Sequence, residues 1–272
     1  MRFSLLIAVA ALMFASVPTM ACDGANCMDA TTEAQLKNAL AHANRNPKNA
    51  ARDEYRHPLE TLKFFGLKND MKVLEVWPAS GWWTEFLAPV LAQKGQYIAG
   101  QPAPVGAGGE GSKAFMSLLA SDPPRYGKAK VAVFGPQGGV TPGSVDLVLT
   151  FRNLHNWMAD GNAPQWIAAM HRALRTGGYL GIEEHRASDK TSQDPKAASG
   201  YVREDFAIQL IESQGFKLVS KSEVNANPKD TKDYPGGVWT LPPNFAEGAK
   251  DREKYTAIGE SDRFTLLFQK VT

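Results

Sequence analysis

Cysteine is nearly absent from this chain: 272 residues carry only Cys22 and Cys27. A fold of this size therefore rests on a buried core and not on disulfide staples. No basic run with interleaved aromatics occurs, and a formal charge of +2 is too small to point to a polyanion. Nucleic acid is thereby excluded as an obligate ligand. Internal repeats and low-complexity tracts are missing too. No apolar run is long enough to cross a bilayer, the strongest being the eleven residues from Leu5 to Ala15. Glycine is scarce where it would be most informative. The segment "VLEVWPASGWW" (73–83) resembles a strand entering a cofactor-binding turn, yet Gly81 is its only glycine. A dinucleotide fingerprint needs G-x-G-x-x-G, so NAD and FAD are disfavoured.

What is present is the composition of an ordinary globular protein, 43% hydrophobic and 21% charged. The amino terminus reads as an export signal. Arg2 precedes the short apolar stretch, and "SVPTMAC" offers small residues for cleavage after Ala21. Residues 1–21 are thus expected to be lost and the mature protein to be periplasmic or secreted, with no transmembrane segment. In an oxidising compartment Cys22 and Cys27 could close a small disulfide. Alternatively Cys22 is lipidated, although Thr19 stands where a lipobox prefers leucine, or both cysteines lie in an inert tail.

After a tail and an exposed helix (22–47), the remainder, 48–272, reads as one domain. Residues 48–66 are helical with a break near Pro58. Apolar runs predict strands at 71–76, 96–100, 129–135, 144–151 and 179–185, the first buried on both faces. Helices are predicted at 84–95, 112–121, 163–178 and 203–216. Two further strands, 217–224 and 263–271, follow the last helix with no helix between them. This pattern predicts a mostly parallel sheet covered on both faces, ending in an antiparallel edge hairpin. The hairpin is interrupted by an insertion at 225–262, long enough to be functional or packed over the site.

In such a sheet ligands bind at the carboxyl ends of the strands, so the turn from Trp77 to Trp83 must lie at the site. Gly81 permits close backbone approach or a positive φ. A β-branched residue there is expected to enter the space a cofactor needs. Glu75, an acid on a buried strand, requires hydrogen-bond partners such as the amides of that turn.

The segments "VLEVWPASGWWTEFLAP", "SVDLVLTFRNLHNWM" and "LRTGGYLGIEEHRA", in this order, resemble class I S-adenosylmethionine-dependent methyltransferases. They are most similar to an exported branch usually called simply predicted methyltransferases, as are "NPKDTKDYPGGVWTLPP" and "IGESDR". The resemblance spans roughly residues 50–270. It implies a Rossmann-like α/β fold, a seven-stranded mostly parallel sheet with an antiparallel edge strand, and S-adenosylmethionine as cofactor. In the family's first motif Glu75 matches the acid and Gly81 the third glycine, while Trp77 and Ala79 replace the other two. The acid that usually follows the second strand and holds the ribose hydroxyls is replaced by Gln101.

The fourth strand ends in "FRNLHNWM", which brings Arg152, Asn153, His155 and Asn156 to the mouth of the site. Arg152 and Asn153 are read as cofactor contacts. His155 suits a general base, its ordinary pKa lying near neutrality; the bland alternative is a histidine bonded to loop backbone. Glu184 and His185 end the neighbouring fifth strand and complete the catalytic candidates. Two histidines and a carboxylate could instead hold a metal, but hydrogen bonding among them is the favoured reading, and no metal is assigned. Tyr55, Arg56 and His57 either pack over the cofactor or brace a helix. Trp82, Trp83 and Trp239 suit core or lid packing as well as substrate stacking. The leading functional expectation is a methyltransferase acting on a small molecule. The alternatives are a non-catalytic binding protein on the same fold and a metal-dependent hydrolase using His155, Glu184 and His185.

Overall fold

The computed structural model describes residues 27–102 and 110–271. The expected signal segment, Cys22 and any bond or lipid on it lie outside the described residues. A seven-stranded sheet forms the centre, in the order β3-β2-β1-β4-β5-β7-β6. Its strands are β1 (Lys72–Val76), β2 (Gln96–Gln101), β3 (Lys130–Val133), β4 (Val145–Phe151), β5 (Leu174–His185), β6 (Phe216–Ser222) and β7 (Arg263–Lys270). The first five run parallel; β7 is antiparallel to both β5 and β6, so the hairpin forms that edge. The strand order reverses between β1 and β4, the place where this architecture opens a crevice.

Strand β1 explains why its sequence lacks alternation. Val73 packs into one core layer, Leu74 and Val76 into the other. Both faces are covered, so every position must be apolar or individually satisfied. One layer contains α1 (Ala30–Leu40), α4 (Pro58–Phe64), α5 (Thr84–Leu91) and α6 (Glu110–Ser121). The other contains α8 (Leu154–Ala159), α9 (Ala163–Ala173) and α10 (Glu204–Glu212). Short helices α2 (Pro47–Ala50), α3 (Asp53–Arg56) and α7 (Pro123–Tyr126) complete the frame before the insertion. Pro58 starts α4 because its missing N–H is unneeded at a first turn.

Two expectations need correction. Helix α1 is not an exposed tail helix: Asp29 caps it, and Thr32, Leu36 and Ala39 are buried. Thr32 also accepts the Asn69 N–H, tying the helix to the domain. Helix α9 ends at Ala173, five residues short of the expected end. The N–H groups of Gly143 and Ser144 take the carbonyls of Arg172 and Ala173, and Leu174 turns extended to pair with Val145. Tertiary pairing there overrides helical periodicity.

The insertion at 225–262 is ordered. It carries a 3-10 turn at Gly237–Thr240 and helix α11 (Arg252–Ile258), around a small core of Tyr234, Leu241 and Tyr255. Buried Asp230 anchors it, accepting the Tyr201 hydroxyl at 3.0 Å and the Asp262 N–H at 2.8 Å. This brings Trp239 and Glu260 over the carboxyl ends of the strands.

Candidate active site

At those strand ends lies a cavity of about 420 Å³, walled by the turn after β1, the ends of β4 and β5, α3 and the insertion. Its size is that of a small-molecule site. The turn after β1 keeps a glycine-type backbone with few glycines. Trp77, Ala79 and Gly81 have φ of 56°, 51° and 89°. Left-handed φ at a non-glycine residue costs about 1–2 kcal/mol and persists only where its surroundings enforce it. Here the Trp77 ring stacks on Trp166 (centroids 5.9 Å), which stacks on Trp157. Asn153 Nδ2 donates to Val76 O at 3.0 Å and Thr150 Oγ1 at 3.1 Å, with a longer bond to Trp77 O. Asn153, expected as a cofactor contact, therefore spends its amide donor on holding the turn.

Gly81 serves a different purpose from the one expected. A Cβ there would meet Leu118 Cδ2 at 2.6 Å and Phe115 Cδ2 at 3.1 Å, on helix α6. The glycine lets α6 close against the turn; a side chain would strike the helix and not the cavity.

Glu75 faces the cavity but does not bond the amides of the turn. Its Oε2 accepts the Tyr97 hydroxyl at 2.6 Å and the Thr84 hydroxyl at 3.5 Å. Burial pushes its carboxyl up to about 7, against the opposing pull of those two hydroxyls. A carboxyl whose folded pKa exceeds its unfolded value loses stability as pH rises between the two, here from about 4.5 to about 7. Glu75→Gln should gain about 3 kcal/mol relative to the parent across that window. Denaturant titrations at pH 4.5 and pH 8 measure this; an unchanged difference would mean Glu75 is ionised in the folded protein throughout.

Gln101 lies at the end of β2, outside the cavity lining. It is buried, and its Nε2 has no hydrogen-bond partner among the described residues. An orphaned amide donor there is suited to a ribose hydroxyl. The left-handed turn and this donor fit an adenosyl cofactor.

The expected trio is brought together, with Glu184 and His155 joined through their side chains and His185 through its backbone. Fully buried Glu184 accepts the His155 Nδ1–H at 2.9 Å and the backbone N–H groups of His155 (3.1 Å) and His185 (2.8 Å). A carboxylate only accepts, so Nδ1 of His155 carries a proton, and in the neutral imidazole Nε2 is then the nitrogen with the lone pair. His155 lines the cavity with the Trp239 ring beside it, while Glu184 stands behind, bonded to the imidazole. His185 Nδ1 lies 2.6 Å from Ser261 Oγ. Burial pushes the His185 pKa well down, with nearby His155 and Arg152 adding to the effect, so it is neutral. Donor atoms of the three residues lie within 4.8 Å of one another. Both Glu184 oxygens are nevertheless committed to N–H donors, which favours hydrogen bonding over a metal ligand set.

Sequence reasoning missed the arginine cluster. Glu260, from the insertion, is met by Arg52 (2.5 Å), Arg263 (3.2 Å), Arg56 (3.5 Å) and Arg152 (3.7 Å). Burial alone would raise the Glu260 carboxyl, but Arg56, Arg263, Arg52 and Arg152 together hold it at about 2. Burial and then Arg152 push the Arg56 pKa down, yet a guanidinium starts so high that it stays charged. The available signal was "IGESDR" beside "ARDEYRHP", charged segments with no periodicity to explain them. Trp82 and Trp83 are core residues that also form the cavity wall: the Trp82 indole donates to Asn49 O, and Trp83 stacks on Phe151 at 3.9 Å.

No family model matches the chain, and no curated protein matches it. Solved structures do. A SAM-dependent methyltransferase from Aquifex aeolicus superposes with a TM-score of 0.57 at 17% identity, over 88% of this chain and 98% of that one. The [4+2]-cyclase SpnF gives 0.55 at 12% identity, over 89% and 93%. A SAM-dependent methyltransferase from Methanosarcina mazei gives 0.50 at 15%, over 75% and 94%. The chain has the Rossmann-like fold of class I S-adenosylmethionine-dependent methyltransferases.

Proposed function

We propose that the protein is an S-adenosylmethionine-dependent methyltransferase acting on a small molecule outside the cytosol. The observation that carries the reading is the relay from Glu184 to His155, set beside a left-handed turn in the same cavity. When bound, S-adenosylmethionine supplies an electrophilic methyl group on a sulfonium. The turn from Trp77 to Gly81 would hold the cofactor, with Glu75 facing the same cavity and its carboxyl held by Tyr97 and Thr84; the orphaned amide of Gln101, at the end of the neighbouring strand, is the donor offered to a ribose hydroxyl. Asn153 fixes the turn. His155 Nε2 would take the proton that an oxygen or nitrogen nucleophile gives up on methylation. Glu184 stabilises the imidazolium that results. Trp239 and the 3-10 turn exclude water, and alignment of the reactants supplies much of the rate.

Fold alone does not imply this chemistry, as SpnF, described as a cyclase, makes plain. Native mass spectrometry of the protein from the exported fraction tests the reading. The expected result is a chain lacking residues 1–21 that retains an adenosyl ligand. Retained zinc or iron would favour a metal-dependent hydrolase, and an intact Met1 in the cytosolic fraction would remove export.

A further inference from the structure

Two arginines facing the cavity, Arg56 and Arg152, make few side-chain hydrogen bonds. Structural Arg45, equally buried, uses its guanidinium fully: it bonds Asp53 through two nitrogens, Glu85 at 3.1 Å and Leu40 O at 3.1 Å. Arg203 likewise bonds both Asp205 oxygens and two backbone carbonyls. Arg152 makes no side-chain hydrogen bond among the described residues. Its nearest carboxylate oxygen, on Glu260, is 3.7 Å away, and its buried Nε has no partner. Its backbone is also held at a φ of 59°. Arg56 is 2% exposed, and its one side-chain hydrogen bond among the described residues is a 3.5 Å contact to Glu260. Its guanidinium lies over Trp82, with Cζ 4.4 Å from the ring centroid.

Charge leads to the same place. Arg52, Arg56 and Arg152 line the cavity, and the acids that line it are Glu260 and Glu75. Glu260 is already shared with Arg263, and Glu75 is turned to Tyr97 and Thr84. A buried guanidinium donor without an acceptor is costly; Arg125 Nη1, Arg186 Nε and Arg263 Nε share that state with Arg152 Nε, but of the four arginines only Arg152 lines the cavity. A guanidinium fork is matched by carboxylate or phosphate oxygens. His155 opens on the same cavity, so an anion on these arginines would sit beside the general base.

We infer that the methyl acceptor carries an oxyanion group, a carboxylate or phosphate, and that Arg56 and Arg152, assisted by Arg52, bind it. This rests on the methyl-transfer reading for the word acceptor, but the oxyanion site itself does not. Arg152, expected from sequence as a cofactor contact, is thereby reassigned to the substrate.

The test is calorimetric titration of benzoate and of phenyl phosphate into protein saturated with S-adenosylhomocysteine, with neutral benzyl alcohol as control. At least one anion should bind saturably and the neutral control should not. Affinity for that anion should fall about 10-fold or more in Arg152→Gln, as loss of charged hydrogen bonds does. It should also fall in Arg52→Gln, a half-buried position chosen in case the deeper variant fails to fold. Both variants should bind S-adenosylhomocysteine and methylthioadenosine, which lacks the amino-acid tail, as the parent does. Failure of both anions to bind, or parental affinity in both variants, overturns the inference. So does weakened S-adenosylhomocysteine binding with methylthioadenosine unaffected, which would give the arginines to the cofactor's own carboxylate. Anion binding to the ligand-free protein with no binding of either adenosyl compound would uphold the oxyanion site and overturn the methyl-transfer reading.

Discussion

Replacing His155 by alanine should lower turnover by about 100-fold or more while leaving cofactor affinity nearly unchanged. The imidazole is the group whose free nitrogen opens on the cavity, and its other nitrogen is committed to Glu184. The variant should remain folded, because Glu184 keeps the two backbone N–H donors of His155 and His185. Turnover and S-adenosylhomocysteine affinity measured on the same variant separate base catalysis from bracing. A purely structural histidine would lose thermal stability and cofactor affinity together with turnover. Unchanged turnover would remove His155 from the mechanism.

The Glu260→Gln protein should be less stable than the parent at neutral pH by about 3–5 kcal/mol, the usual result of removing one partner from a buried charge cluster. Four guanidiniums surround that carboxylate, and only Glu183 would remain to answer them, through its 3.1 Å contact with Arg263. Acid titration gives an independent check. A carboxyl held at about 2 when folded contributes stability that is complete above its ordinary value of 4.5 and disappears as pH falls toward 2. Linkage makes that contribution about 3 kcal/mol. The difference between parent and variant should therefore shrink across this window, followed by urea unfolding at successive pH values. A constant difference would show that the Glu260 charge is not what holds the insertion to α3.

Much of the frame was legible because it is local. "VLEV" and "SVDLVLTF" are apolar without alternation, as strands covered on both faces must be, and both strands are where expected. His155 and Glu184 could be placed together because they end adjacent strands. The three N–H bonds that make Glu184 an orienter depend on side-chain geometry that no spacing reports. Trp77 and Ala79 stand where the family's first motif has glycine. The backbone nevertheless remains left-handed there, held by Asn153 and by indole stacking from α9, both remote in sequence. Arg56 was singled out beside the site, but its joining with Arg52 and Glu260 was illegible for the same reason. Their contacts join residues more than 200 positions apart, and only the folded insertion brings them into one cluster.

Cofactor binding is tested by calorimetric titration of the folded, ligand-free protein with S-adenosylhomocysteine. One equivalent should bind, and at a ligand concentration 100 times Kd the protein should gain about 2.7 kcal/mol of stability. A well-folded protein that binds neither S-adenosylhomocysteine nor S-adenosylmethionine would contradict the account.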